Sequence, residues 1–423
     1  MFLRKDIPGV LPGSFFQAAF IGRTGGASVN KTEWIGLGER YLMNTYRRAP
    51  VVFERGEGVR LWDCDGREYL DFLAGIAVCS LGHAHPRVVE AIRRQAGRLM
   101  HVSNLYQIEP QILAAQALCE RSFADRIFFC NSGAEANEAA IKIARKYGHE
   151  RLGGRHEIVT MLNSFHGRTL ATITATGQTR FQAGFEPLPA GFRYAPYDDL
   201  KALADAVTDR TCAILVEPIQ GEGGIRIPAP NYLQEVRALC DAHGILLMLD
   251  EVQTGIGRTG TLFAYEQAGI RPDVMTLAKA LGNGFPVGAM LATEEVARVF
   301  DPGTHASTFG GNPLATAAVL SVLEAIDEEG LLEHCRQMGA YFLERLGVLK
   351  RKHSLIRDIR GRGLLIGCEL DCEGAPYVSC CLQEGLLINC TNANVLRFAP
   401  PLVVTAGDID RAVEILDTAL GAS

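Results

Sequence analysis

An open α/β domain on a mostly parallel sheet, followed by a smaller α+β domain, is the fold class this chain predicts, and three observations carry it. Between about residues 101 and 328, short apolar runs alternate with segments of helical periodicity, the pattern of strands joined by helices that cover both faces of a sheet. Carboxylates stand just beyond several of those runs, where open α/β sheets place their ligands. After about residue 329 the pattern changes to a helix, several short strands and a closing helix. Composition sets the outer bounds: 423 residues at 48% hydrophobic content can bury a large core. A formal net charge of -6 and a pI near 6.0 leave no footprint for nucleic acid, and no apolar run is long enough to span a bilayer. The twelve cysteines include no C-x-x-C pair. Most, such as Cys130, Cys212, Cys368 and Cys390, lie in apolar strand-like runs, as buried, reduced thiols of a cytoplasmic protein would.

In chain order, residues 1–33 read as an N-terminal extension, rich in Gly, Phe and Ala, with few arginines and no secretory signature. Residues 34–100 read as a short helix, a hairpin and a longer helix that starts at Pro86 and aligns Val88, Ala91, Ile92 and Ala96. His83 and His85 form an H-x-H just before it. They have no acidic or thiol partner at ligand spacing, so a structural role is favoured over a metal site.

Residues 101–328 form the large domain, with strands expected at Ile127–Cys130, Ile158–Leu162, Cys212–Val216, Ile245–Leu249, Val274–Leu277 and Gly288–Ala292. After the first comes FFCNSGAEANEAAIKIARKYG, a strand, a small-residue turn and a helix. Ser132, Gly133 and Ala134 sit at the helix N-terminus, where free N–H groups and the dipole favour a phosphate. That helix is expected to bury Ala136, Ala139, Ala140 and Ile143 and to stop at Gly148; a well-capped helix with nothing bound has the same signature. In NSFHGRT, Phe165 can stack on a flat ring and Arg168 can take a carboxylate, against the plainer reading of a core Phe and a surface Arg. EPIQGEGG brings Glu217 and Glu222 to another strand end.

The run Ile245–Leu249 ends at Asp250 and Glu251, and Val274–Leu277 leads to Lys279. A carboxylate at one strand end and a lysine at a later one are what pyridoxal phosphate needs: an amine for the aldehyde and an anion for the ring nitrogen. Within the same stretch Gly255, Gly257 and Gly260 spell the G-x-G-x-x-G of a dinucleotide site, the basis of a nicotinamide oxidoreductase reading. Its first glycine falls five residues past the strand, too late to close it, and Arg258 would crowd the pyrophosphate turn. Further on, HASTFGGNP offers Ser307 and Thr308 as phosphate donors ahead of a helix near Pro313.

Residues 329–423 form the small domain, with strands near Ile356, Leu364–Leu370, Leu386 and Val395 and a helix near Tyr377. The closing helix starts at a cap-like Thr405–Asp408 and buries Ile409, Ala412, Val413, Leu416 and Leu420. Arg397 stands among apolar residues and needs an anionic partner there.

These motifs together resemble the class III, fold type I pyridoxal phosphate aminotransferases from about Glu39 to Leu420. The matching stretches include MNTY, LGHAHP, NSGAEANEAAIK, FHGRT, EPIQGEGG, LDEVQTGIGRTG, TLAKALGNGFPVGA, STFGGNP and NVLRFAPPL. The resemblance implies a seven-stranded, mostly parallel sheet in a homodimer with active sites at the interface. It makes Lys279 the residue that holds the cofactor aldehyde and then moves the proton, and Asp250 the partner of the ring nitrogen. Gln253 would reach the ring hydroxyl oxygen, and Phe165 and Val252 would enclose the ring. His166 and Glu217 join the cofactor shell, and Ser132, Gly133 and Ala134 hold the phosphate with Thr308 of a second subunit. Arg168, with Tyr46 and Ser307, implies a site for the α-carboxylate of acetylornithine. Arg397 implies a site for that of glutamate and 2-oxoglutarate, gated by Glu222. Ornithine, succinylornithine, N-succinyl-diaminopimelate and 4-aminobutyrate are the alternative donors. A silent relative that only binds partners is the reading from another class, opposed by the presence of both Lys279 and Asp250. Cys79 and Arg47 depart from the family pattern, which often has Asn and Gly at those places, and bear on the acyl preference.

Overall fold

The computed structural model describes residues 29–421. The expected extension at residues 1–33 lies almost wholly outside the described residues. The chain forms two compact units. The first runs to Arg55 and includes Trp62–Glu68. Its helix Lys31–Tyr41 starts at a reciprocal cap, in which Asn30 accepts from the Glu33 N–H and Glu33 accepts from that of Asn30. Lys31 pairs with Asp63 and Asp65 at 3.5 and 3.6 Å, and Arg55 stacks on Trp62 at 3.6 Å.

The second unit contains Gly56–Leu61 and everything from Tyr69 onward. Its helix α1, Pro86–Ala96, begins with proline at its first position, as expected, but buries only Val88 of the predicted face. Seven strands make the large sheet: β1 Arg126–Cys130, β2 Glu157–Met161, β3 Phe192–Ala195, β4 Thr211–Val216, β5 Leu246–Asp250, β6 Val274–Leu277 and β7 Gly288–Ala292. Their order is β1-β7-β6-β5-β4-β2-β3. The run β6-β5-β4-β2-β3 is parallel, and β7 is antiparallel to both β1 and β6. Alternation along each strand divides the core. Val159, Ile214, Leu247 and Met275 face one layer, while Ile158, Leu215, Met248 and Val274 face the other.

Helix α2, Gly133–Arg151, buries Ala139, Ala140, Ile143 and Ala144 against the second layer. It does not stop at Gly148. A Cβ there would come within 2.7 Å of the Cys212 side chain and clash with the Arg155 carbonyl, so this glycine marks a close approach inside a continuing helix. Helix α3, Tyr232–His243, and helix α4, Pro313–Glu328, cover the other face, α4 starting where Asn312 accepts from the Ala315 N–H.

Beyond α4 come the long helix α5, Leu331–Lys352, and an antiparallel sheet of β8 Ile356–Arg362, β9 Leu365–Leu370, β10 Asn389–Thr391 and β11 Val395–Phe398, in the order β8-β9-β11-β10. The closing helix α6, Ala406–Gly421, buries all five residues expected of it. Its start is tied by the Thr405 N–H to Asp408 and the Asp408 N–H to Thr405, at 3.0 and 3.2 Å. The described cysteines are all free, with Cys372 exposed and Cys390 only half-buried. No helix among the described residues is long and apolar enough to cross a membrane.

Candidate active site

Parallel strands end on a common edge, so the segments that follow β2, β4, β5 and β6 converge there. They line a cleft of about 380 Å³ together with the N-terminus of α2. Ser132, Gly133, Ala134, Phe165, His166, Arg168, Glu217, Asp250, Val252, Gln253 and Lys279 all face it.

Asp250 ends β5 at 4% exposure. Its Oδ2 accepts from Asn137 Nδ2 at 2.8 Å and from His166 Nδ1 at 2.7 Å, and its Oδ1 accepts from the Val252 N–H at 3.0 Å. Asn137, a single amide on the buried alanine face of α2, also donates to the His166 carbonyl and accepts from Thr276 Oγ1 on β6, both at 2.8 Å. One side chain thus joins α2, the loop after β2, β5 and β6. Sequence reasoning missed it; the signal is a polar residue at a position whose neighbours in the helical pattern are all small and apolar.

Lys279 opens a short 3-10 turn after β6 with φ of +44°, a conformation that disfavours any side chain but glycine. Burial pushes its ammonium down to about 8, helped by Arg397 and opposed by the carboxylates of Glu222, Asp250 and Glu217. Glu217 is buried and its carboxyl is pushed up to about 7 by burial and by Asp250. His166 and the N–H groups of Phe165 and Gly221, at 2.9 and 3.1 Å, resist that shift. Glu251 is also raised to about 7 by burial, but it points away from the chemistry: it accepts from Ala264 N, Tyr265 N and Thr254 Oγ1 and folds the loop that contains the glycine-rich decoy. Arg258 in that decoy is wholly buried and donates to the Leu364 carbonyl and to Ser80 Oγ, so its place is structural.

Glu222 and Arg397 adjoin the cleft through Gln253. Arg397, on β11 and 1% exposed, donates through Nη1 to Glu222 at 2.5 Å and to Gln253 at 3.2 Å, and through Nε to Asn389 at 3.0 Å. Its Nη2 is buried without a partner. Burial raises the Glu222 carboxyl, but Arg397 and Lys279 outweigh it and hold the group below its ordinary range. Gln253 donates to Glu222 at 3.3 Å, so this network already engages its amide.

Arg168 lines the cleft and is exposed, with its guanidinium 4.0 Å from the Phe181 ring and 5.5 Å from that of Phe165. Ser307 and Thr308 are not in this cleft but line a separate cavity of about 650 Å³, where Ser307 Oγ accepts from Asn131 Nδ2 at 3.1 Å. Tyr46 lies in the first unit, 71% exposed, with Arg48 over its ring at 5.5 Å. His83 Nε2 donates to Asp71 Oδ2 at 2.7 Å, and His85 pairs with Glu329 at 3.2 Å. Among the described residues no cluster of His, Cys, Asp and Glu has the arrangement of a metal site.

The cleft suits pyridoxal phosphate on three structural grounds. His166 Nε2, on the cleft lining, is buried without a partner among the described residues and is open to a ligand, and Arg397 Nη2 is an open donor beside the cleft. Gly133 lets the α2 terminus stand close to Val252, whose methyl a Cβ would meet at 2.9 Å. Asp250 and Lys279, a carboxylate and an amine lowered toward neutrality, line the same cleft as His166 and Gly133.

The aminotransferase class-III family matches residues 41–420. The acetylornithine aminotransferase of Caldanaerobacter subterraneus is 56% identical over 90% of this chain and 98% of its own length. That of Methanocaldococcus jannaschii is 51% identical over 92% and 98%. Among solved structures, the ornithine aminotransferase from Toxoplasma gondii ME49 is similar with a TM-score of 0.91 at 35% identity, over 97% of each chain. The acetylornithine aminotransferase from Elizabethkingia anophelis gives 0.83 at 34%, over 94% of this chain and 100% of that one.

Proposed function

This chain belongs to the class-III aminotransferases and depends on pyridoxal phosphate, and from that premise we propose that it transaminates N2-acetyl-L-ornithine with 2-oxoglutarate, yielding N-acetylglutamate 5-semialdehyde and glutamate, a step of arginine biosynthesis. The observation that carries the proposal is a cleft lined by one guanidinium without a carboxylate partner among the described residues, Arg168, and adjoined through Gln253 by an ion-paired one, Arg397. Such a cleft suits two amino donors that present their α-carboxylates at different ends.

When bound, pyridoxal phosphate supplies an aldehyde that carries the amino group between substrates and a protonated ring that draws electrons from the reacting carbon. Asp250 keeps the proton on the ring nitrogen, its orientation fixed by Asn137 and the Val252 N–H. Lys279, near neutrality, accepts and returns the proton at the reacting carbon. Free N–H groups around Ser132, Gly133 and Ala134 take the phosphate. Phe165 and Val252, both on the cleft lining, would exclude water from the bound cofactor, and His166 and Glu217 would complete its surroundings. Glu222 neutralises Arg397 while the ornithine-type donor is bound and yields it to glutamate. Arg168 takes the donor's α-carboxylate.

A cytoplasmic homodimer is part of the proposal. It is supported by the position of Thr308, which is exposed on the wall of the second cavity and is therefore available to another copy. Cys79, whose Sγ stands 3.6 Å from where a Cβ at Gly284 would lie, sits against the cleft wall and bears on the acyl group accepted.

The test is the visible spectrum of the holoenzyme. Adding N-acetyl-L-ornithine should abolish the cofactor band, and adding 2-oxoglutarate should restore it. A band that ignores acetylornithine but responds to glutamate would replace the donor with ornithine, succinylornithine, N-succinyl-diaminopimelate or 4-aminobutyrate.

A further inference from the structure

We infer that Phe181 is a positioning residue for Arg168: its ring holds the guanidinium plane so that the in-plane N–H groups stay open to the donor carboxylate. This rests on the reading of Arg168 as the donor anchor. Phe181 lies in a short turn of helix, Thr179–Gln182, and is half-buried. The Arg168 guanidinium carbon stands 4.0 Å from its ring centroid, nearer than the 5.5 Å to Phe165. The two rings meet edge to face, with centroids 6.1 Å apart and planes at 87°, and so make a two-walled shelf.

The shelf is itself fixed. Gln178 donates to the Ser164 carbonyl at 2.9 Å, tying this segment to the loop that carries Phe165 and Arg168. Gln182 donates to the Thr176 carbonyl at 2.9 Å, tying it to the helix Leu170–Ala175. Arg180 stands over the same ring at 4.6 Å but donates to Gln178 at 2.8 Å, so it reinforces the segment and leaves Arg168 free to face the cleft.

The physical point is what kind of contact holds the arginine. A carboxylate would orient Arg168 by occupying its N–H fork, and every substrate would have to displace it. An aromatic face attracts the cation through the ring and uses none of the in-plane donors. No carboxylate or carbonyl pairs with Arg168 among the described residues, as this arrangement requires.

Single-turnover half-reactions of the holoenzyme separate the outcomes. Phe181→Leu should raise the concentration of N-acetyl-L-ornithine needed for half-maximal rate by roughly 2- to 5-fold, the range of an exposed cation–π contact. The limiting rate and the whole glutamate half-reaction should stay within about 2-fold, and Phe181→Tyr should restore the donor affinity. An unchanged donor affinity in Phe181→Leu, alongside a weakened one in Arg168→Gln, would overturn the positioning role while keeping Arg168 as anchor. Equal losses in both half-reactions would also overturn it, because a general packing defect does not distinguish donors. If Arg168→Gln itself leaves acetylornithine unaffected, the anchor reading fails and the role of Phe181 fails with it.

Discussion

Two arginines bound the cleft, and they are held by opposite means. Arg397 is buried, and a guanidinium in that position must be neutralised, which Glu222 does while the Gln253 and Asn389 amide oxygens accept further N–H bonds. Arg168 is exposed, keeps its hydration and needs only to be oriented, which two phenyl rings do. The difference teaches why one end of the site can act as a switch and the other cannot. A buried cation has a displaceable anion in place before any substrate arrives, whereas a stacked cation has none.

The largest effect should ignore the comparison. Lys279→Ala removes the group that moves the proton for both substrates, so both half-reactions should fall by roughly 10²- to 10⁴-fold or more, measured as single turnovers. Equal retention of either one would break the assignment of one shared base. Next, Arg397→Gln should weaken the glutamate half-reaction by roughly 10- to 150-fold, the worth of a charge-assisted pair of about 1.5–3 kcal/mol, and largely spare acetylornithine. A uniform loss would mean the two ends are not separate.

Glu222→Gln sharpens the contrast, since it frees Arg397 without touching Arg168. Glutamate should then bind roughly 10-fold more tightly and acetylornithine should lose its advantage, read as the ratio of the two half-reaction constants. The smallest effect is in pH. With Lys279 near 8, the reactive neutral amine grows as pH rises, so the rate at which pyridoxal phosphate attaches to the cofactor-free protein should climb roughly fivefold from pH 7 to 8 and level off above it. Because the Glu222 carboxylate holds the Lys279 proton on, Glu222→Gln should move that rise to lower pH. A rise that moved upward would contradict the coupling.

Much of this arrangement was legible in the sequence because it follows from strand ends. Asp250, Glu217 and Lys279 each come just after an apolar run, and parallel pairing alone brings such positions to one edge. β3 escaped notice because it is a four-residue edge strand, FRYA, whose half-exposed Arg193 and Tyr194 break any apolar run. Asn137 and Phe181 were illegible for a different reason. Their partners lie far along the chain or across a turn: the polar residue in AEANEAA marks an unusual position without naming its partner, and nothing in TRFQ announces the contact with Arg168. The resemblance that placed Thr308 beside the phosphate assumed a second copy, and one chain by itself sets that residue on a separate cavity.

Asn137 has one more consequence. Its amide is in place only when α2, the turn at His166, β5 and β6 have all found their registers. A molecule in which β6 has slipped past β5 would present Asp250 without its amide donor and Lys279 on the wrong side of the sheet. Such a molecule would fail to retain the cofactor once free cofactor is washed away. Cofactor kept through desalting therefore reports that four separate segments have assembled in register, before any assay of turnover.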